Sequence, residues 1–182
     1  MTASESSTIE SLNTLLTSEA FSEIRSILIF DNSEQAAEPQ GLDARFTYHH
    51  SQTNVGLAQA YNTALNQMSE SAVWLITLDQ DTTISYEYLE ALIKKATQLP
   101  ESVVAIAPII NDQKQQISPV RSDTLRPLHK ELPEENQMYS KDIMVINSGT
   151  AVRAQFLREI GGYNLSLSLI HISEPTRLRC IS

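Results

Sequence analysis

The stretch Val73-Trp-Leu-Ile-Thr-Leu-Asp-Gln-Asp-Thr82 ends a mostly apolar run in two carboxylates, Asp79 and Asp81. A short apolar run that contains β-branched and aromatic residues is typical of a buried strand. In α/β proteins, ligands bind outside the carboxyl ends of the strands. Carboxylate oxygens are the ligands that Mg²⁺ and Mn²⁺ prefer, and Mg²⁺ commonly bridges carboxylates to substrate phosphates. The stretch therefore predicts an α/β fold with a metal–diphosphate site at the end of this strand.

Apolar segments alternate with amphipathic segments on both sides of this stretch. The patterns predict strands over residues 25–33, 45–50, 73–79, 103–110 and 143–146. They predict helices over residues 7–21, 54–66, 86–98 and 154–160. Such alternation indicates a mainly parallel sheet flanked by helices. Residues 111–139 are polar and lack a clear period, so we expect a surface segment over the site.

The composition limits the classes of function. The chain has 182 residues, of which 41% are hydrophobic and 19% charged, as expected for one globular domain. Its net charge of −9 argues against a nucleic-acid partner. No apolar run is long enough to span a bilayer, and no signal peptide is visible. Because Cys180 is the one cysteine, no internal disulfide can form, and we expect a cytoplasmic protein.

The C-terminal segment Leu167-Ser-Leu-Ile-His-Ile-Ser-Glu-Pro-Thr-Arg177 resembles a translated transposase adapter from sequencing libraries. We therefore interpret residues 165–182 as a non-native tail, so that His171 and Cys180 carry no functional information. An ordinary short strand followed by a tail is the alternative. Residues 1–164 are then expected to form a partial domain whose natural continuation lies beyond Asn164.

Five segments together resemble the inverting family-2 glycosyltransferases, which have the GT-A fold. They are Ile27-Leu-Ile-Phe-Asp-Asn-Ser33, Asn54-Val-Gly-Leu-Ala-Gln-Ala-Tyr-Asn62, Leu78-Asp-Gln-Asp81, Asn147-Ser-Gly-Thr150 and Ile160-Gly-Gly-Tyr-Asn164. The sequence Leu78-Asp-Gln-Asp81 is most similar to the corresponding motif of the rhamnosyltransferases, which use dTDP-rhamnose to build bacterial surface polysaccharide. The resemblance implies a nucleotide-sugar donor, a glycan or lipid-linked acceptor, and work at the inner face of the cytoplasmic membrane.

The resemblance also implies roles for individual residues on the donor side. Asp31 would accept a hydrogen bond from the nucleobase, and Asp81 would bind Mg²⁺ or Mn²⁺. Asp79 would face the ribose or the waters of the metal. Asn54, Gly56 and Asn62 would line the nucleotide. A simple turn at Asp31, a helix cap at Asn54 and Gly56, and a solvated loop at Asp79 and Asp81 are the structural alternatives.

The acceptor side is less completely specified by the resemblance. Ser148, Gly149 and Thr150 would shape the acceptor site. The family's opening strand has no counterpart before residue 7, so we expect an incomplete GT-A domain. Its general base, an acidic residue, is expected beyond Asn164. We therefore expect this polypeptide to be inactive or nearly so.

Two other functions fit the central motif. In a haloacid-dehalogenase-type phosphatase, Asp79 would attack phosphorus and Asp81 would act as the acid and base, with Mg²⁺ between them. Such enzymes usually carry the motif on their opening strand and need a later lysine and acidic pair. The second alternative is a noncatalytic module that binds a nucleotide.

Overall fold

A computed structural model describes residues 3–111, 115–123, 126–128, 132–140, 142–165, 170–172 and 177–181. The helices are α1 Ala3–Leu15, α2 Leu57–Gln67, α3 Tyr86–Gln98 and α4 Ala154–Glu159, with a 3₁₀ turn at Glu19–Phe21. The first strands are β1 Ile27–Asp31, β2 Phe46–His50, β3 Trp74–Ile76, β4 Val103–Pro108 and β5 Ile110–Asn111. The later strands are β6 Gln116–Ser118, β7 Val120–Asp123, β8 Arg126–Leu128, β9 Met138–Tyr139, β10 Ile143–Val145, β11 Ala151–Arg153, β12 Ile170–Ile172 and β13 Arg177–Ile181.

The largest sheet has the strand order β3-β11-β4-β13-β9. Strand β11 is antiparallel to both β3 and β4, so β3 and β4 run in the same direction and α3 connects them as a crossover helix. Parallel pairs join β1 to β2 and β4 to β13, and the other described pairs are antiparallel. The alternation of strands and helices is as predicted, but the sheet is mixed. Strand β11 enters this sheet from β10, which belongs to the separate sheet β12-β10-β7-β8, and it runs antiparallel to both of its neighbours.

The main core lies between α2, α4 and the strands β4, β10 and β11. Its buried side chains include Tyr61, Leu65, Ala105, Val152 and Leu157. Helix α2 buries Ala60, Tyr61 and Leu65, whereas Leu57 is 49% exposed. Leu57 begins the helix, where its side chain has no preceding turn to pack against. Burial of this face fixes the orientation of α2 beside the end of β3.

A second core cluster lies under β1, β2 and α3, around Leu16, Phe21, Ile84 and Leu89. Helix α3 has the predicted bounds because Ser85 caps its first turn, where its Oγ accepts a bond of 3.2 Å from Tyr88 N. Helix α1 ends at Leu15, earlier than the predicted residue 21. Ser18 starts a separate 3₁₀ turn there and accepts a bond from Ala20 N.

The structure differs from the predictions most in the later part of the chain. Segment 111–139 contains short strands from β5 to β9, although residues 112–114, 124–125 and 129–131 lie outside the described part. In the tail, β12 pairs with β10 and β13 pairs with β4, while residues 166–169, 173–176 and 182 lie outside the described part. The non-native origin of the tail stays a prediction. Within the described residues, no helix has the length and apolar character needed to cross a membrane.

Candidate functional site

Hydrogen bonds connect the motif segments, which are far apart in the chain. Asn32, which follows β1, accepts a bond of 3.2 Å from Val55 N at its Oδ1. The Tyr61 hydroxyl on α2 donates to Asp79 Oδ1 at 3.3 Å. Asp79 N in turn donates to Ser148 Oγ at 3.1 Å. Hydrogen bonds therefore connect the predicted donor-side segments to the predicted acceptor-side turn.

The Asp31 carboxylate is half-buried at the end of β1 and is held by three donors. Oδ1 accepts a bond of 2.8 Å from Ser33 N, and Oδ2 accepts bonds from Ala37 N at 3.3 Å and the Tyr48 hydroxyl at 2.5 Å. Burial raises the pKa of Asp31, but the hydrogen bonds from Ser33, Tyr48 and Ala37 outweigh it and hold the pKa well below its usual value. Asp31 is therefore ionised and acts as an acceptor.

Asn54 and Gly56 form the turn that starts α2. Gly56 N donates to Asn54 Oδ1 at 2.9 Å, and Gly56 is the N-cap residue with a φ of 79°. A positive φ favours glycine because a side chain would be strained in that conformation. Both residues therefore have the structural role of the turn, and their role in lining the nucleotide stays a prediction.

Asn62 clamps α2 to the turn that follows α4. Its Nδ2 donates to Tyr163 O at 2.9 Å, and its Oδ1 accepts from Tyr163 N at 2.7 Å. A Cβ on Gly162 would lie 2.4 Å from Asn62 Oδ1, so the close approach requires glycine there. These contacts give Asn62 a structural role that the sequence did not predict, while its role beside the nucleotide stays a prediction.

The two carboxylates of the central motif differ in exposure. Asp79 is half-buried beside Tyr61, whereas Asp81 is exposed. Within the described residues, no third His, Cys, Asp or Glu joins them in a metal-binding group. Mg²⁺ usually keeps several waters and is held by one or two carboxylates together with substrate phosphates. The pair therefore fits a divalent cation that is bound jointly by the protein and a diphosphate.

The turn formed by Ser148, Gly149 and Thr150 packs tightly against the end of β3. Gly149 N donates to Thr77 O at 2.8 Å, and Thr77 Oγ1 donates to Asn147 O at 2.7 Å. Gly149 has a φ of +80°, and a Cβ there would lie 3.1 Å from Pro108 Cγ. The buried Ser148 also shares a short hydrogen bond with Thr82 Oγ1. The turn is thus fixed relative to Asp79.

Three tyrosines that the sequence did not single out contact residues of the candidate site. Tyr48 contacts Asp31, and Tyr61 contacts Asp79. The buried Tyr88 hydroxyl donates to Gly149 O at 2.5 Å, and burial raises its pKa. Burial also raises the pKa of Tyr61, as does the neighbouring charge of Asp79. Apart from the position of Tyr61 inside the second motif, no local signal in the sequence marks these residues.

The sequence profile of the group described as glycosyl transferase family 2 matches residues 4–161. The chain belongs to glycosyl transferase family 2. Membership implies the GT-A fold, a nucleotide-sugar donor and an acceptor for the sugar. It confirms the predicted class of enzyme and does not favour the phosphatase, because the match extends far to both sides of Asp79 and Asp81. A comparison with curated proteins gave no significant match.

Proposed function

We propose that this glycosyl transferase family 2 chain forms a donor site for a metal-bound nucleoside diphosphate sugar, with dTDP-rhamnose as the donor. The observation that carries the proposal is the hydrogen-bond path from Tyr61 through Asp79 to Ser148. This path connects Asp79 to helix α2, proposed to lie beside the nucleotide, and to the Ser148 turn, proposed to lie beside the acceptor. The resemblance of Leu78-Asp-Gln-Asp81 to the rhamnosyltransferase motif supports rhamnose as the donor sugar.

In this proposal, Asp31 accepts the nucleobase N–H, while Asn54, Gly56 and Asn62 lie along the nucleotide. Asp81 would hold Mg²⁺ or Mn²⁺, and Asp79 would face the ribose or the waters of the metal. A bound divalent cation supplies charge stabilisation for the departing diphosphate. Asp31 lies at the end of β1, Asn54 and Gly56 lie at the start of α2, and Asn62 lies within α2. Asp79 and Asp81 lie in the segment that follows β3.

The reaction is a substitution at the anomeric carbon of the sugar. The acceptor oxygen forms a bond to that carbon while the bond to the diphosphate oxygen breaks on the opposite face, which inverts the configuration. The acceptor hydroxyl loses its proton to a general base. Ser148, Gly149 and Thr150 shape the acceptor side. We propose as acceptor a growing surface glycan on a lipid carrier at the cytoplasmic face of the membrane.

Calorimetric titration of dTDP and UDP into the chain, with Mn²⁺ and with EDTA, tests the donor site. We expect metal-dependent binding that is tighter for dTDP than for UDP. The affinity should fall at least tenfold in Asp81→Asn, since a charged metal ligand contributes more than an ordinary hydrogen bond. Asp142→Asn is the matched control, because this exposed Asp with a φ of 59° is in a conformation that Asn also adopts. Equal binding by wild type and Asp81→Asn would refute the metal role. Metal-dependent hydrolysis of a phosphate ester by the chain would instead support the phosphatase alternative.

A further inference from the structure

Tyr48 lies on β2 and reaches the carboxylate at the end of the neighbouring strand β1. In the parallel register it pairs with Ile29, two residues before Asp31. Its hydroxyl donates to Asp31 Oδ2 at 2.5 Å and accepts from Ala37 N at 3.0 Å. Ala37 N also contacts Asp31 Oδ2 at 3.3 Å. Tyr48 thus fixes the position of both the Asp31 carboxylate and the loop that follows β1.

These contacts limit what Asp31 can bind. An ionised carboxylate has about four acceptor positions, two on each oxygen. The bonds from Tyr48 and Ala37 occupy both positions on Oδ2, and the bond from Ser33 N at 2.8 Å occupies one on Oδ1. Ser33 Oγ, which is also near the carboxylate, donates its proton to Gln35 O at 2.7 Å. Among contacts with the described residues, one position on Oδ1 is left for a ligand.

We propose that Tyr48 is a positioning residue that restricts Asp31 to a single nucleobase donor, so that the site selects uracil or thymine over guanine. Uracil and thymine present one ring N–H, flanked by carbonyl groups. Guanine presents a ring N–H beside an amino group, and a carboxylate matches this pair only when both of its oxygens are available. Cytosine presents an acceptor at the same ring position, which an ionised carboxylate repels. The inference rests on the proposed contact between Asp31 and the base.

The experiment compares GDP with inosine diphosphate (IDP), which differ by the single amino group. Both are titrated calorimetrically, with Mg²⁺, into the full chain and its Tyr48→Phe variant. We expect wild type to bind IDP more tightly than GDP, because the extra donor of GDP finds no acceptor. Tyr48→Phe frees a position on Oδ2, so the ratio of GDP affinity to IDP affinity should rise about tenfold, as expected for one hydrogen bond.

Thr47→Val is the matched control, since it removes a neighbouring hydroxyl on β2 that donates to Ile27 O at 3.3 Å instead of to Asp31. Its GDP-to-IDP ratio should equal that of wild type. If Tyr48→Phe weakens the binding of GDP and IDP by the same factor, the role of Tyr48 is merely structural and the proposal is overturned. Equal affinities of wild type for GDP and IDP, or GDP binding as tight as dTDP binding, would also overturn it, and these comparisons need no variant to fold.

Asp31→Ala separates this inference from the proposed base contact, because it removes both acceptor oxygens. If Asp31→Ala binds dTDP as tightly as wild type, the base contact itself is refuted. If it weakens dTDP while Tyr48→Phe leaves the GDP-to-IDP ratio unchanged, the base contact stands and the role of Tyr48 is refuted.

Discussion

The hydroxyl of Tyr61 donates a hydrogen bond of 3.3 Å to Oδ1 of Asp79, which connects helix α2 to the end of β3. Tyr61 is buried, and its ring contacts that of Tyr163, with the ring centroids 5.0 Å apart. The two tyrosines differ in one respect. Among the described residues, the buried Tyr163 hydroxyl has no hydrogen-bond partner. The pair therefore separates the effect of the Asp79 contact from that of ring packing.

Tyr61→Phe should weaken metal-dependent binding of dTDP about three- to tenfold, because Asp79 loses the hydrogen bond that orients it. Calorimetric titration measures the affinity. Tyr163→Phe is the matched control and should leave the affinity unchanged. It should also keep or raise the free energy of unfolding, since it removes a buried hydroxyl that makes no bond. Equal losses of affinity in both variants would show that ring packing, and not the bond to Asp79, matters.

Gly162→Ala should destabilise the fold more than Gly161→Ala. Both glycines have a positive φ, +85° at Gly161 and +86° at Gly162, which alone costs about 1–2 kcal/mol with alanine. A Cβ at Gly161 meets nothing within 4 Å, whereas at Gly162 it would lie 2.4 Å from Asn62 Oδ1. Moving Asn62 breaks two bonds to Tyr163, which adds about 1–3 kcal/mol.

Urea unfolding of the two variants measures this difference. Asn62→Ala in the Gly162→Ala background completes a double-mutant cycle. With the Asn62 side chain removed, the extra cost of Gly162→Ala over Gly161→Ala should largely disappear. An extra cost that persists in that background would show that the strain at Gly162 has another origin.

Gly149→Ala should perturb the turn on the acceptor side. The new Cβ would lie 3.1 Å from Pro108 Cγ and 3.4 Å from the Tyr88 hydroxyl, and the φ of +80° adds strain. We expect a loss of about 2–3 kcal/mol of unfolding free energy in urea. Gly41→Ala is the control for the positive φ alone, since a Cβ there meets nothing within 4 Å. An equal loss in both variants would mean that the turn accommodates the methyl group.

The elements that the sequence predicts well have complete local signals. Helix α3 has Ser85 as its cap, a buried face that includes Leu89 and Leu92, and Pro100 just beyond its end. The strand Val103–Pro108 is a continuous buried run. In contrast, Ala151–Arg153 is three residues long, which is too short for an alternating pattern to show. Its role as the strand between β3 and β4 depends on pairing with distant segments.

The candidate site divides in the same way. Motif spacing singled out Asp31, Asp79 and Ser148, and each lies after a strand or in a tight turn. The contacts of Tyr48 and Tyr88 could not be predicted, since they join residues 17 and 61 positions apart. Side-chain contacts over such separations depend on how the elements pack, which no short window of sequence records.

The pairing of Asp43 with Arg45 should make the stability of the fold depend on pH in the acidic range. Arg45 Nε donates to Asp43 Oδ1 at 2.8 Å, and Arg45 Nη2 donates to Leu16 O, just beyond the end of α1, at 2.6 Å. The hydrogen bonds and charge of Arg45 lower the pKa of Asp43 to about 2. In the unfolded chain the pKa of an aspartate is about 3.9. Since the folded value is the lower one, the contribution is complete above about pH 4 and is lost as the pH falls towards 2.

Asp43→Asn should therefore lower the melting temperature at pH 7, and the difference from wild type should shrink as the pH falls from about 4 to 2. Thermal unfolding followed by circular dichroism over this range measures it. Glu23→Gln is the control, because its ion pair with Arg25 is exposed and 3.7 Å long and should contribute little. A difference between Asp43→Asn and wild type that stays constant down to pH 2 would contradict the electrostatic origin, because neutralising the carboxylate with acid would then have no effect.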